Sequence, residues 1–140
     1  MFLIDTNVIC EIRKGSRANP NVRAWFLHHA AETHFLSVLT VGEIRRGVEQ
    51  LRTSDPARAL VFEQSLEEIV EIFEGRILEI GFEESDLWGR LCPHERLPDV
   101  DGLLAATALR RGLVVVTRNG KDFVRSGVEV VNPWEFSASL

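Results

Sequence analysis

The chain has 140 residues, 45% of them hydrophobic and 26% charged, with a formal net charge of −5. That length builds one domain with a real core and leaves too little for a second. No apolar run nears the ~20 residues of a membrane helix, no signal-peptide pattern opens the chain, and net negative charge argues against a broad basic face for duplex nucleic acid.

Short apolar runs alternate with helical patterns, which predicts a single α/β domain over residues 1–140 with a mostly parallel sheet. "MFLI" reads as a first strand and stops abruptly at Asp5-Thr6-Asn7, where helix-compatible sequence begins. "NPNVRAWFLHHA" reads as a helix with Asn19 as its cap and Pro20 at its first position. "HFLSV" is a short second strand, followed by "TVGEIRRGVEQL", whose Val41, Ile44, Val48 and Leu51 share a helical face. "SDPARALVFEQSLEEIVEIF" is a longer helix that aligns Phe62, Leu66, Ile69 and Phe73. "RILEI" is a third strand. "FEESDLWGRLCPHE" is an amphipathic helix that Pro93 bends or ends. "DVDGLLAATALRRG" is a small-residue helix closed by Gly112. "LVVVTRN" is continuously apolar and β-branched, as a buried central parallel strand should be. "VEVVNPW" supplies the last strand.

The two cysteines, Cys10 and Cys92, fall in predicted helices without CxxC spacing, so free thiols in a reducing, cytoplasmic setting are expected. His28, His29, His34 and His94 form neither an HExxH pattern nor zinc-finger spacing. Gly42 and Gly47 are too isolated for a phosphate loop and read as sites of close helix packing. Trp25 and Trp88 read as packing residues.

Acids recur after the predicted strands. Asp5 follows the first, Glu43 lies in the first turn of the helix after the second, Asp101 opens the small-residue helix, and Asn119 and Asp122 follow "LVVVT". In an open parallel sheet, ligands bind beyond the carboxyl ends of the strands, so these positions can converge. Taken singly, each acid also reads as a cap. Thr40-Val41-Gly42-Glu43 fits a capping box, Asp5 and Asp101 fit helix N-termini, Asp99 is a better cap candidate than Asp101, and Asp122 fits a cap or surface acid. Taken together, two or three carboxylates suit Mg²⁺ or Mn²⁺, ions that support phosphoryl transfer by activating water and stabilising the leaving oxygen. Closely spaced acids repel, so at least one should have a raised pKa that metal binding would reverse.

"FLIDTNVICEI", "LSVLTVGEIRRGV", "DGLLAATAL" and "VVVTRNGKDF", in this order, resemble the successive motifs of the PIN-domain nucleases, and most of all the VapC-type toxins of bacterial toxin–antitoxin pairs. The closing "NPW" resembles the FitB-like branch. The match runs from Met1 to about Trp134. The resemblance implies a three-layer α/β/α sandwich and a metal-dependent endoribonuclease acting on single-stranded RNA. It implies Mg²⁺ or Mn²⁺ at Asp5, Glu43 and Asp101, an antitoxin of the VapB kind whose C-terminal segment blocks the site, and homodimers that form hetero-oligomers with it. DNA would be contacted only through the antitoxin. One departure stands out: many family members carry a fourth acid where this chain has Asn119. An amide brings no charge, so one firmly held metal and a weaker second are expected, with Asp122 as partial compensation.

Beside these, Thr6 and Thr117 are expected to steady the carboxylates, to bind phosphate through their hydroxyls or to cap locally, and Asn7 to bond within the acidic pocket or start a turn. Arg118 is expected to meet RNA phosphate or solvent. The long helices around Ser54 read as core elements that could also present an apolar groove to a partner. Two other readings stand. One is a weakly catalytic or non-catalytic module working in a DNA-binding complex with its partner. The other is a phosphoacceptor or phosphatase domain phosphorylated on Asp5. The second lacks the Asp two residues on, where Asn7 stands, and has only Lys121 as a loosely placed lysine.

Overall fold

The computed structural model describes residues 1–91, 93–94 and 97–138. Five strands lie in one sheet: β1 (Phe2–Ile4), β2 (His34–Ser37), β3 (Ile77–Leu78), β4 (Val114–Val116) and β5 (Val130–Val131). Their order is β3-β2-β1-β4-β5, and every pairing is parallel. Among the described residues seven α-helices accompany them: α1 (Thr6–Ile12), α2 (Pro20–His28), α3 (Val38–Ser54), α4 (Pro56–Ile72), α5 (Phe82–Arg90), α6 (Asp99–Arg111) and α7 (Gly120–Phe123).

The three layers follow from the two-residue period of a strand. Phe2 and Ile4 of β1 join Leu36 and Val116 in a core with Val8, Val22, Trp25, Ile44, Leu66 and Ile69, from α1 to α4. Leu3, between them, joins Val115 in the opposite core with Leu104, Ala105 and Ala108 of α6 and Phe123 of α7. Both faces of the sheet are covered, which is why the internal strands are apolar without alternation. β1 is the central strand, and β4 lies beside it with Leu3 opposite Val115.

Asn19 caps α2 through bonds to the N–H groups of Asn21 and Val22, with Pro20 at the first position. Asp55 ends α3 and caps α4 by accepting the Arg58 N–H at 3.2 Å. Arg45 and Arg52 of α3 both bond Glu63 of α4, clamping this helical hairpin. Gly112 closes α6 at φ 66°, a left-handed conformation that favours glycine.

Several expectations are corrected. α3 begins at Val38, not at Thr40, because Ser37 leaves β2 extended and its hydroxyl accepts the Leu39 N–H at 3.1 Å. No capping box joins Thr40 to Glu43, and Glu43 lies in the second turn. Asp99 is the first residue of α6 and not its cap, which is Pro98. Gly42 and Gly47 do not mark close helix packing, since a Cβ at either would meet nothing within 4 Å. The close approach is at Gly102, where a Cβ would lie 2.6 Å from the Trp88 ring. Trp25 is buried as expected, whereas Trp88 stays 37% exposed and packs by its ring edge. α5 ends at Arg90, ahead of Pro93. Cys10 is a free, exposed thiol in α1; Cys92 lies outside the described residues. No helix among the described residues is long and apolar enough to cross a membrane.

Candidate metal centre

The sheet order reverses between β1 and β4, because the chain goes from β1 outward to β2 on one side and later returns to β4 on the other. Such a reversal leaves a crevice at the carboxyl ends of the two strands. Asp5 stands at that point. Its N–H donates to the Val116 carbonyl at 2.9 Å, so the ladder itself places the residue. One carboxylate oxygen, Oδ1, accepts the Thr6 N–H at 2.8 Å and caps α1. The other, Oδ2, accepts the Thr117 hydroxyl at 2.8 Å and the Asn7 amide at 3.2 Å. Asp5 is therefore a cap and a candidate site acid at once. It is buried, and burial raises its pKa although these bonds pull it down.

Thr117 is fully buried at the end of β4. Besides donating to Asp5, its oxygen accepts the Asn119 N–H at 3.0 Å and faces Asn7 Nδ2 at 3.4 Å. Asn7 is oriented from both ends, because its Oδ1 accepts the Arg118 N–H at 3.2 Å. The Arg118 guanidinium lies 4.9 Å over the ring of Trp134. Trp134 is fixed in turn: its N–H donates to Asn132 Oδ1, and its carbonyl accepts the Asn21 amide at 2.7 Å.

Glu43 reaches the crevice from α3, exposed to solvent. Its Oε1 accepts the Thr6 hydroxyl at 2.6 Å, and that hydroxyl is also 3.2 Å from the hydroxyl of Thr40. Asp101 sits half-buried in the first turn of α6. Among the described residues its carboxylate takes no hydrogen bond, and its pKa is pushed from 3.8 up to about 6. Burial is the main cause, and the negative charges of Asp5, Asp122 and Glu43 add to it in that order. The four acids thus share one electrostatic neighbourhood. Asn119 is exposed at the start of α7 and makes no side-chain capping bond. Asp122 is exposed one helical turn on and acts on Asp101 by charge. Asp99 adds a second acid to the first turn of α6.

Among the described residues, no three His, Cys, Asp or Glu side chains converge closely enough to enclose a metal ion. The oxygen-only donor set nevertheless fits Mg²⁺ or Mn²⁺, which keep several waters and use one or two carboxylates. An acid whose ionisation is opposed by three neighbouring charges is the electrostatic condition that a cation relieves. In the residue pattern Thr40 reads only as a cap and Trp134 only as part of the closing "NPW". The partner through which each acts here is distant in sequence, Thr6 for Thr40 and Arg118 for Trp134, so neither motif signals it.

A PIN domain profile matches residues 2–128. The chain is 34% identical to the VapC ribonuclease Y4jK of Sinorhizobium fredii, over 96% of this chain and 99% of the relative. It is 33% identical to toxin FitB of Neisseria gonorrhoeae, again over 96% and 99%. Among solved structures, FitAcB from Neisseria gonorrhoeae superposes with a TM-score of 0.86 at 33% identity, covering 97% of this chain and 100% of that one. FitAB bound to an IR36 DNA fragment also gives 0.86, at 31% identity and with full coverage of both chains.

Proposed function

The chain belongs to the PIN-domain family, in company with VapC and FitB toxins, and from that premise we propose that it is a divalent-metal-dependent endoribonuclease cleaving single-stranded RNA, the toxin of a type II toxin–antitoxin pair. The observation that carries this reading is Asp101, an acid that takes no hydrogen bond among the described residues and whose pKa is raised to about 6 by burial and by the charges of Asp5, Asp122 and Glu43, together with the firmly bonded Asp5.

Asp5 and Asp101 would hold Mg²⁺ or Mn²⁺, with Glu43 as a third ligand or as the base toward the attacking water. Bound there, the ion supplies an activated water and charge stabilisation at the leaving oxygen. Asp5 brings a carboxylate whose orientation is fixed by Thr6, Asn7 and Thr117 before any ligand arrives. Glu43 uses one oxygen toward Thr6 and keeps Oε2 to accept a proton from solvent water. Arg118, braced on Trp134, is placed to meet a phosphate.

FitAcB, and FitAB bound to an IR36 DNA fragment, are among the structural relatives of this chain at over 30% identity. A cognate antitoxin covering the crevice and a homodimer of the toxin are therefore part of the proposal. With a net charge of −5, DNA contact is assigned to the antitoxin. The same relatives favour the second reading, a weakly catalytic module acting in that complex. Incubation of the antitoxin-free chain with a broad single-stranded RNA pool separates the two. Cleavage with Mg²⁺ or Mn²⁺ that is lost in EDTA and in Asp5→Asn supports the nuclease. No cleavage by folded protein makes the complex-bound module the better reading.

A further inference from the structure

Among the described residues, some cations of this acidic chain are neutralised locally: Lys14 pairs with Glu11, Arg45 and Arg52 with Glu63, Arg90 with Asp86, and Arg110 with Glu84. Arg13, Arg17 and Arg58 differ. Among the described residues none of them has a carboxylate within ion-pair distance, and all three line one hollow between α1 and α4. Its volume is about 750 Å³, enough for a small organic ligand and far more than an ion needs.

Two of these guanidiniums are held in place. Arg13 lies 5.2 Å and Arg58 5.1 Å from the centre of the Phe62 ring, and Arg13 Nε also donates to the Ser65 hydroxyl at 2.7 Å. Cation–π contact orients a guanidinium without neutralising it. An unpaired charge so positioned meets an anion with little entropy left to lose. The hollow is also continuous with the candidate metal centre. Cys10, Arg13 and Phe62 line it together with a second depression, and that depression reaches Thr6 and Glu43.

We propose that this α1–α4 hollow is the track for the single-stranded RNA flanking the scissile phosphate, with Arg13, Arg17 and Arg58 as its phosphate-binding groups. The inference rests on the ribonuclease reading above and adds the route by which substrate leaves the acidic crevice. The geometry favours a polyanion over a protein segment, because three guanidiniums without a carboxylate at ion-pair distance among the described residues line one hollow, and Arg13 also lines the depression that holds Glu43. A chain of phosphates offers an anion to each of these guanidiniums, whereas the acids themselves repel it. RNA therefore gains affinity outside the crevice, and the metal site is left to position one linkage.

The test uses the full-length chain carrying Asp5→Asn to prevent turnover, with fluorescently labelled single-stranded RNA oligonucleotides and binding followed across salt concentrations. Arg17→Ala/Arg58→Ala should weaken binding about tenfold and lower the slope of log K against log salt by about 0.7 for each arginine–phosphate pair removed. Phe62→Leu, which keeps the apolar packing, should weaken binding less. Arg111→Ala, at the far end of α6 from Asp101, should change neither quantity, and thermal melts confirm that each variant folds. RNA binding that is the same in the double variant and in Arg111→Ala overturns the track while leaving the ribonuclease reading intact. Loss of antitoxin binding with unchanged RNA binding overturns it too and makes the hollow a protein-docking surface. No RNA binding by the Asp5→Asn chain or any variant overturns both readings.

Discussion

The hydroxyl of Thr117 donates to Oδ2 of Asp5 at 2.8 Å, joining residues 112 positions apart inside the buried end of the sheet. It is the bond that ties the first site acid to the late strand. Thr117→Val keeps the shape and removes the donor. Loss of a hydrogen bond to a buried charged group costs about 1–3 kcal/mol, so the variant should melt lower at neutral pH. Its Asp5 pKa should rise further, and more Mn²⁺ should be needed for half-maximal thermal stabilisation. An unchanged metal midpoint would remove Thr117 from the site.

Asp101 has a folded pKa of about 6 against an ordinary 3.8. The folded chain therefore holds this proton more tightly than the unfolded one. The stability contributed is complete below about pH 3.8 and is lost as pH rises through 6. In EDTA at neutral pH, Asp101→Asn should melt higher than the unsubstituted chain, and the gap should close toward pH 4. Added Mn²⁺ should reverse the order, because only the carboxylate gains from the ion. Parallel melting curves for the two proteins across this range would contradict the shift.

Asn119 makes no side-chain capping bond and faces solvent. Asn119→Asp restores a fourth acid at little steric cost. Isothermal titration should record tighter Mn²⁺ binding or a second equivalent; equal stoichiometry and affinity would mean that this position does not reach the ion.

The glycines of α3 and α6 should respond in opposite directions. Gly42→Ala meets nothing within 4 Å and should stabilise by about 0.5–1 kcal/mol through helix propensity. Gly102→Ala drives a methyl into the Trp88 ring and should destabilise by about 1–3 kcal/mol. Denaturant titration of both, with Gly102→Ala/Trp88→Ala as a relief variant, checks the clash.

His34 stacks on Phe2 at 5.7 Å, and its buried Nε2 has no hydrogen-bond partner among the described residues. Burial, with help from the Arg76 charge, lowers its pKa below 6.5. The unfolded chain takes up this proton first as pH falls, so native stability declines through that range. His34→Phe should flatten the decline, giving a larger gain in melting temperature at ~pH 5.5 than at ~pH 8. An equal gain at both would mean that His34 titrates normally.

Periodicity and punctuation alone located the strands and the main helices. Apolar β-branched runs suit buried parallel strands, and Asn19-Pro20, Asp55-Pro56 and Gly112 mark helix ends by local backbone chemistry. The order of the acids along the chain, read with the neighbouring motifs, nominated Asp5, Glu43 and Asp101 as candidates, and the fold brings their charges into one neighbourhood. What lay beyond local reading was which partner each polar group takes. Thr40 looked like a cap because its neighbours permit one; Ser37 takes that place because β2 delivers it already extended. Asp5 looked like a cap or a ligand, and the β1–β4 ladder lets its two oxygens serve separate purposes. The raised pKa of Asp101 and the unpaired Arg13, Arg17 and Arg58 depend on burial and on charges from other elements. Local propensity acts over a few residues, but desolvation and Coulomb interaction act through space, so they are decided only once the sheet order brings those elements together.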